Sequence, residues 1–402
     1  MSPFDDPDVI ERFAELTVGF AANVQPDQVV AVSSEPGKEA LTAAIAGAAY
    51  RRGARFVDVT TFDLRIKRQR ILHAREETLD YVPEWLGERV VELGRRHAAR
   101  ISLSGPAFPG LLDDVDPDRA GRDVLPALRE SVQVVNDRTT NWAIVPCPTR
   151  NWAAHVHPAL DPEEAWARLG EQVLHVCRLD EDDPIASWTA RKDVLVGVTE
   201  RLDRDRLESV RFRGPGTDLT VGLLPTSTWT AASFATVDGV VHMPNLPSEE
   251  VFTAPDPLRV DGVVRATKPL VVGGSIVDGL EVEFREGRAV RIDADRGADV
   301  LRAYAAKDEG ASRLGEVALV DGDGRIGPLN TVFFDTLLDE NAASHIALGN
   351  AYAFTAGEED QGRLNASQIH VDFMIGSPEV DVDGVLPGGE VVPVLRGGRW
   401  QR

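Results

Sequence analysis

The hydrophobic pattern of this chain changes character once, and that change limits the folds open to it. Up to about Asp180, short apolar runs alternate with helical patterns. Gln28–Ser33 (QVVAVS), Arg55–Thr60 (RFVDVT), Arg100–Ser104 and Trp142–Val145 read as strands. Between them lie an amphipathic helix at 8–23 with Val9, Phe13, Leu16 and Phe20 at helical spacing, an Ala-rich helix Lys38–Arg52 closed by Gly53, and helices at 83–96 and around 117–130. Strands alternating with helices of about ten to fifteen residues imply βαβ units and a parallel sheet covered on both faces. The acidic run Asp180-Glu181-Asp182-Asp183-Pro184 ends this regime. A helix at about 187–206 then leads into Val210–Arg213, Asp218–Leu224, Val263–Ala266, Leu270–Val272, Leu280–Arg285 and Ala289–Asp293, separated by Gly-rich turns. Strands without intervening helices indicate an antiparallel sheet and an α+β domain. The expectation is an α/β N-terminal domain at 1–184 and an α+β domain at 185–402 that carries the chemistry, since 402 residues exceed what one core usually holds.

The chemistry concentrates late, in Asp335–Gly376, which contains Asp339, Glu340, Asn341, His345, Tyr352, His370 and Asp372. Ile369–Ile375 alternates as a strand does: Ile369, Val371, Phe373 and Ile375 on one face, His370, Asp372 and Met374 on the other. An imidazole and a carboxylate at i, i+2 on a stiff element are rigidly aimed, as metal ligands must be. Over 341–352, helical spacing places Asn341, His345, Leu348 and Tyr352 on one stripe, with Glu340 off it unless the chain breaks at Asn341. Upstream, Glu249 and Glu250 sit between prolines, and Glu316 lies inside the apolar run Leu314–Val320. A charge there must be paired, coordinated or protonated. Imidazoles and carboxylates without thiolate suit zinc, cobalt, manganese or iron(II). Five such donors exceed what one catalytic zinc takes from protein, and suggest two metals about 3.5–4 Å apart.

Other segments offer less. No nucleotide fingerprint follows any strand of the first half; Ser33–Lys38 reads as a capped helix start rather than an anion site, and His155 and His157 as loop residues rather than ligands. The net charge of −22, without a Lys/Arg block, argues against nucleic acid or an anionic membrane as partner. Cys147 and Cys177 are the only cysteines and read as free thiols. An acidic N-terminus unlike a signal peptide, and no apolar run of about twenty residues, lead to the expectation of a cytoplasmic protein with no membrane partner.

Four motifs, in this order and spacing, resemble the thermophilic-aminopeptidase family of metallopeptidases (aminopeptidases T and S): NLPSEEVFTAPD, LGEVALV, DENAASHIALGNAY and IHVDFMIG. RFRGPGTDLTVGL and the Thr140–Thr149 stretch are similar too, so the resemblance covers nearly the whole chain. It implies a two-metal exopeptidase that removes N-terminal residues from short peptides and acts as a homodimer. By matching motif positions it implies Glu250, Glu316, His345, His370 and Asp372 as metal ligands, Tyr352 against the metals and Glu340 as general base. Zinc or cobalt is the expected metal, with magnesium or manganese also compatible. Two alternatives stand beside this reading. One is a ring-cleaving dioxygenase of the 2,5-dihydroxypyridine type, with a single iron on His345, His370 and Asp372; the other is a non-catalytic metal-binding protein.

Overall fold

The computed structural model of the chain describes residues 1–272 and 275–401. The chain forms two compact units. One comprises Met1–Ala190 with Ser233–Ser248 and Phe333–Leu337; the other comprises Arg191–Ala232, Glu249–Val332 and Leu338–Arg402.

The first unit is built on a four-stranded parallel sheet, ordered Phe56–Thr61, Val29–Ser34, Ala99–Ser104, Asn141–Pro146. Parallel neighbours require crossovers, and the expected helices supply them: Glu39–Arg51 joins the first two strands in sequence, and Glu84–Arg95 leads into the third. The inner strands are apolar because both faces are covered; Val30, Val32, Ile101 and Leu103 are buried. The helix expected around 117–130 is instead two, Pro117–Arg122 and Arg129–Asn136. Pro126 between them has no N–H to donate and disfavours helix at the residue before it. The loop at Ser33–Lys38 holds a buried lysine. Its ammonium donates to the Glu35 carboxylate (2.7 Å) and to the carbonyls of Leu103 (2.9 Å) and Ser104 (3.0 Å), so it ties strand ends together. His155 and His157 diverge: the first packs edge-on against Phe334, and the second bonds Gln172 through Nε2 (2.7 Å).

The second unit is antiparallel, as its turns imply. An eight-stranded sheet runs in the order Arg288–Asp293, Glu281–Arg285, Pro255–Arg265, Thr217–Leu223, Ser209–Gly214, Asp381–Val385, Val391–Arg396, Arg399–Trp400. A five-stranded sheet runs His370–Met374, His345–Gly349, Leu314–Val320, Glu250–Thr253, Thr230–Ala231. Its central strand, Leu314–Val320, is buried along its whole length.

The largest departure from the sequence expectation falls here. The stretch read as a helix over 341–352 is a strand, His345–Gly349, preceded by a short helix, Thr336–Glu340. Ala-rich segments have strong intrinsic helix propensity, but this one lies between two strands that supply its backbone partners, and tertiary pairing overrides propensity. Asn341, His345, Leu348 and Tyr352 therefore share no helical stripe; His345, Ala347 and Gly349 share a strand face instead. Among the described residues, no helix is long and apolar enough to cross a membrane.

Candidate metal centre

Strand register assembles the site. Glu250 pairs with Val320, which shares a face with Ala318 and Glu316 by the two-residue period. Ala318 pairs with His345 and Glu316 with Ala347; Ala347 in turn pairs with Asp372, and Gly349 with His370. Glu250, Glu316, His345, His370 and Asp372 therefore stand on one face of the sheet, drawn from four adjacent strands. The positions interleaved with them are Ala318, Ala347 and Gly349, the smallest residues available, so the sheet floor leaves room among the donors. The same alternation sends Glu249 to the opposite face from Glu250.

The side chains form two groups with metal-ligand spacing, Glu250–Glu316–His345 and Glu316–His370–Asp372. Glu316 belongs to both. Its Oε1 lies 3.3 Å from His345 Nε2, and its Oε2 lies 3.6 Å from His370 Nε2. His345 Nε2 is also 3.1 Å from Glu250 Oε2, and His370 Nε2 is 3.3 Å from Asp372 Oδ1. Each imidazole is oriented through its other nitrogen: Nδ1 of His345 faces the Ala343 carbonyl (3.2 Å), and Nδ1 of His370 faces that of Asn350 (2.8 Å). With Nδ1 turned to a carbonyl, Nε2 is the nitrogen that faces the carboxylates, the orientation a metal-ligating imidazole takes once that nitrogen gives up its proton.

Gly315 makes the second of these contacts possible. A Cβ there would lie 2.3 Å from the Gly349 carbonyl oxygen and 2.4 Å from that of Asn350, at the irregularity in register between Leu314 and Glu316. Only glycine lets the Asn350 carbonyl sit where it aims His370.

Charge and burial fit a cation. Glu250 Oε2 and Asp372 Oδ1 are buried without a hydrogen-bond partner, although each lies within ion-pair distance of an imidazole. They are close to the rings without lying along an N–H direction, as happens when donors point at a common centre rather than at each other. Burial raises the Glu316 carboxyl, against the opposing hydrogen bond from His345. His370 is lowered by burial but lifted further by Asp372 and Glu316, to about 10. Asp372 is raised by burial and brought below its usual range by His370. Glu340 is held well above the carboxylate range by burial and then by Glu250 and Asp372, which places its carboxyl in the field of this cluster. The Tyr352 hydroxyl is raised by burial and by Glu316, Asp372, Glu340 and Glu250 in turn, so it remains a neutral donor. Its ring stacks on Phe354 (5.3 Å), lies 5.5 Å from His370, and meets Phe252 edge-on. So many buried carboxylates beside two imidazoles are costly unless cations compensate them, and hard oxygen with borderline nitrogen donors suits divalent ions of the zinc, cobalt and manganese kind.

Of the seven residues the resemblance implies, Glu250, Glu316, His345, His370 and Asp372 stand at ligand spacing, Tyr352 lies against His370, and Glu340 adjoins Asn341 within the field of the cluster. Asn341, where the sequence left room for a break in the helical stripe, accepts the Glu249 N–H (2.6 Å). Gly315 and Asn350 carried no sequence signal of a role here; a glycine inside an apolar strand was the one hint available.

Comparison with known proteins bears on this geometry. The family model of thermophilic metalloproteases (M29) matches residues 7–400. Aminopeptidase T of Thermus thermophilus is 42% identical over 400 residues, spanning 97% of this chain and 98% of that protein. Aminopeptidase 2 of Geobacillus stearothermophilus is 36% identical over 402 residues, spanning 97% of each. Aminopeptidase AmpS of Bacillus subtilis is 35% identical over 406 residues, spanning 97% and 98%. The solved structure of wild-type AmpT from Thermus thermophilus matches with a TM-score of 0.90 at 41% identity, covering 98% of this chain and 99% of that one.

Proposed function

We infer the reaction from kinship and geometry together: the chain belongs to the thermophilic metalloprotease (M29) family, and it is a metal-dependent aminopeptidase, a hydrolase of the exopeptidase kind. The finer assignment is our proposal. Two divalent cations, zinc or cobalt in preference to magnesium or manganese, would be held by Glu250, Glu316, His345, His370 and Asp372, of which Glu316 belongs to both ligand groups. The observation that carries this is the division of one buried carboxylate between two imidazoles, Oε1 toward His345 and Oε2 toward His370.

Bound there, divalent cations would supply Lewis acidity and make water a nucleophile near neutral pH. The protein's own residues do the rest. Glu340, whose carboxyl is held up by burial and neighbouring carboxylates, takes the water's proton and returns it to the departing amine. Tyr352, kept as a neutral O–H, donates to the oxygen that gains charge as the peptide carbonyl becomes tetrahedral. Burial of the surrounding side chains limits water and strengthens both contacts. The alternative with a single iron on His345, His370 and Asp372 has less support, because these residues divide between the two ligand groups instead of forming one.

Short peptides as substrates, a homodimeric state and a cytoplasmic setting complete the proposal. The two free, buried thiols suit a reducing compartment. Elemental analysis of the purified protein, with a screen of aminoacyl anilides and blocked peptides, tests the assignment. We expect about two metals per chain, hydrolysis of free-amine substrates, loss on chelation and recovery with Co²⁺ or Zn²⁺. One iron per chain with oxygen uptake, or full activity in chelator, would overturn it.

A further inference from the structure

Immediately behind the ligand face lies a buried ionic cluster in which no metal-binding residue takes part. Arg191, on the helix Pro184–Asp205, is almost fully buried. Its Nε donates to Glu249 Oε2 (2.5 Å), and Nη2 donates to Asp321 Oδ1 (2.5 Å), with Nη1 3.3 Å from Asp321 Oδ2. Both carboxylates are buried. Nη2 also reaches the Glu249 carbonyl oxygen at 3.4 Å.

The location of this cluster gives it meaning. Glu250 pairs with Val320 at the end of the antiparallel ladder, so Glu249 and Asp321 are the next residues out on each strand. Beyond that point neither strand has a ladder partner to hold it in register. The guanidinium closes the open end by gripping one carboxylate from each side and the Glu249 carbonyl as well, with donors spread over a rigid planar fork where a lysine ammonium offers a single point. That carbonyl belongs to the peptide group that links Glu249 to Glu250. The N–H of Glu249 is held from the other direction by Asn341 Oδ1 (2.6 Å), and Asn341 Nδ2 lies 3.4 Å from Glu340 Oε1. Both backbone polar groups of Glu249, the residue next to Glu250, are therefore pinned, and the residue that pins one of them adjoins Glu340.

We propose that Arg191 is a positioning residue: through Glu249 and Asp321 it holds Glu250 in ligand geometry, and Asn341 links that geometry to Glu340. This rests on the assignment of Glu250 as a metal ligand. The cluster does not reach His370 or Asp372, so its effect falls on the Glu250–Glu316–His345 group alone.

The test is zinc and cobalt titration of the full-length protein, by calorimetry and by the visible spectrum of the cobalt form. Arg191→Lys keeps the charge but loses the planar fork that serves both carboxylates and the Glu249 carbonyl together. We expect one class of metal site to weaken by about 10- to 100-fold, the usual scale for losing an outer hydrogen-bonding partner, and the other to stay within about twofold. In a Glu250→Gln background the same substitution should change nothing further, because the two act through one site. Should Arg191→Lys fail to fold, the neutral variant Arg191→Met/Glu249→Gln/Asp321→Asn, of similar volume, carries the test and should show the same selective weakening. Wild-type affinity at both sites in either folded variant would overturn the proposal. An unchanged metal count in Glu250→Gln alone would instead overturn the ligand assignment on which it rests.

Discussion

Replacing Glu316 by glutamine separates what this residue does for the fold from what it does for metal. The two side chains have nearly the same volume, so packing along the buried strand Leu314–Val320 is kept. In the absence of metal the electrostatic changes oppose one another. At an effective dielectric near 20, a carboxylate about 3.5 Å from an imidazolium gains about 4–5 kcal/mol. Its burial costs several kcal/mol, and Glu250 and Asp372 repel it. The variant's stability without metal should therefore stay within about 2 kcal/mol of the parent. With metal the two proteins diverge. A ligand at about 100 times its Kd stabilises a fold by about 2.7 kcal/mol per site, or about 5–10 °C in Tm for units of this size. Glu316→Gln loses a donor common to both groups, so it should show almost no thermal shift with Zn²⁺ and retain less than one metal per chain after dialysis. Glu250→Gln, which touches one group only, should keep about one. A Glu316→Gln protein that still binds two metals at parental affinity, or loses the same single metal as Glu250→Gln, would refute the shared-carboxylate reading.

Other outcomes follow from the same geometry. Tyr352→Phe should lower kcat by about 10²–10³ with KM and metal content little changed, the scale for losing one oxyanion donor; steady-state kinetics with elemental analysis checks this, and unchanged kcat would remove Tyr352 from the reaction. Glu340→Gln should lower kcat by about 10²–10⁴ while metal remains bound, whereas full turnover would leave the general base unassigned. Gly315→Ala should destabilise the fold by about 1–3 kcal/mol in denaturant melts, since its Cβ meets two carbonyl oxygens, and should weaken metal at the His370 group before the other. Burial lifts the Cys147 thiol to about 12 and the Cys177 thiol well above its ordinary value, so both remain protonated at pH 8; a thiol reagent should find neither in the native protein and both in denaturant.

Much of this molecule was legible in the linear chain. Short apolar runs bounded by turns marked the strands of the parallel sheet and several of the antiparallel ones, and the loss of intervening helices in the second half marked the passage from parallel to antiparallel architecture. Those signals are local: a strand buried on both faces must be apolar wherever it lies, and a parallel pair must be joined by a crossover. The Ile369–Ile375 alternation likewise put His370 and Asp372 on one face, and the structure has them so. The segment around His345 was misread because its local preference and its tertiary partners disagree. Ala342, Ala343 and Ala347 favour helix, but Leu314–Val320 and His370–Met374 offer ladders on both sides, and paired backbone outweighs propensity. Chain order also cannot say which strands become neighbours. The register that puts Glu250, Glu316, His345, His370 and Asp372 on one face over a floor of Ala318, Ala347 and Gly349 exists only once four distant strands align. Arg191 shows the same limit from the other direction: in the chain it is one arginine on a polar helix, and only the fold buries it between Glu249 and Asp321. The kinds of chemistry present are written in residue types, which act at short range; their convergence on one point depends on long-range pairing, which the folded sheet alone decides.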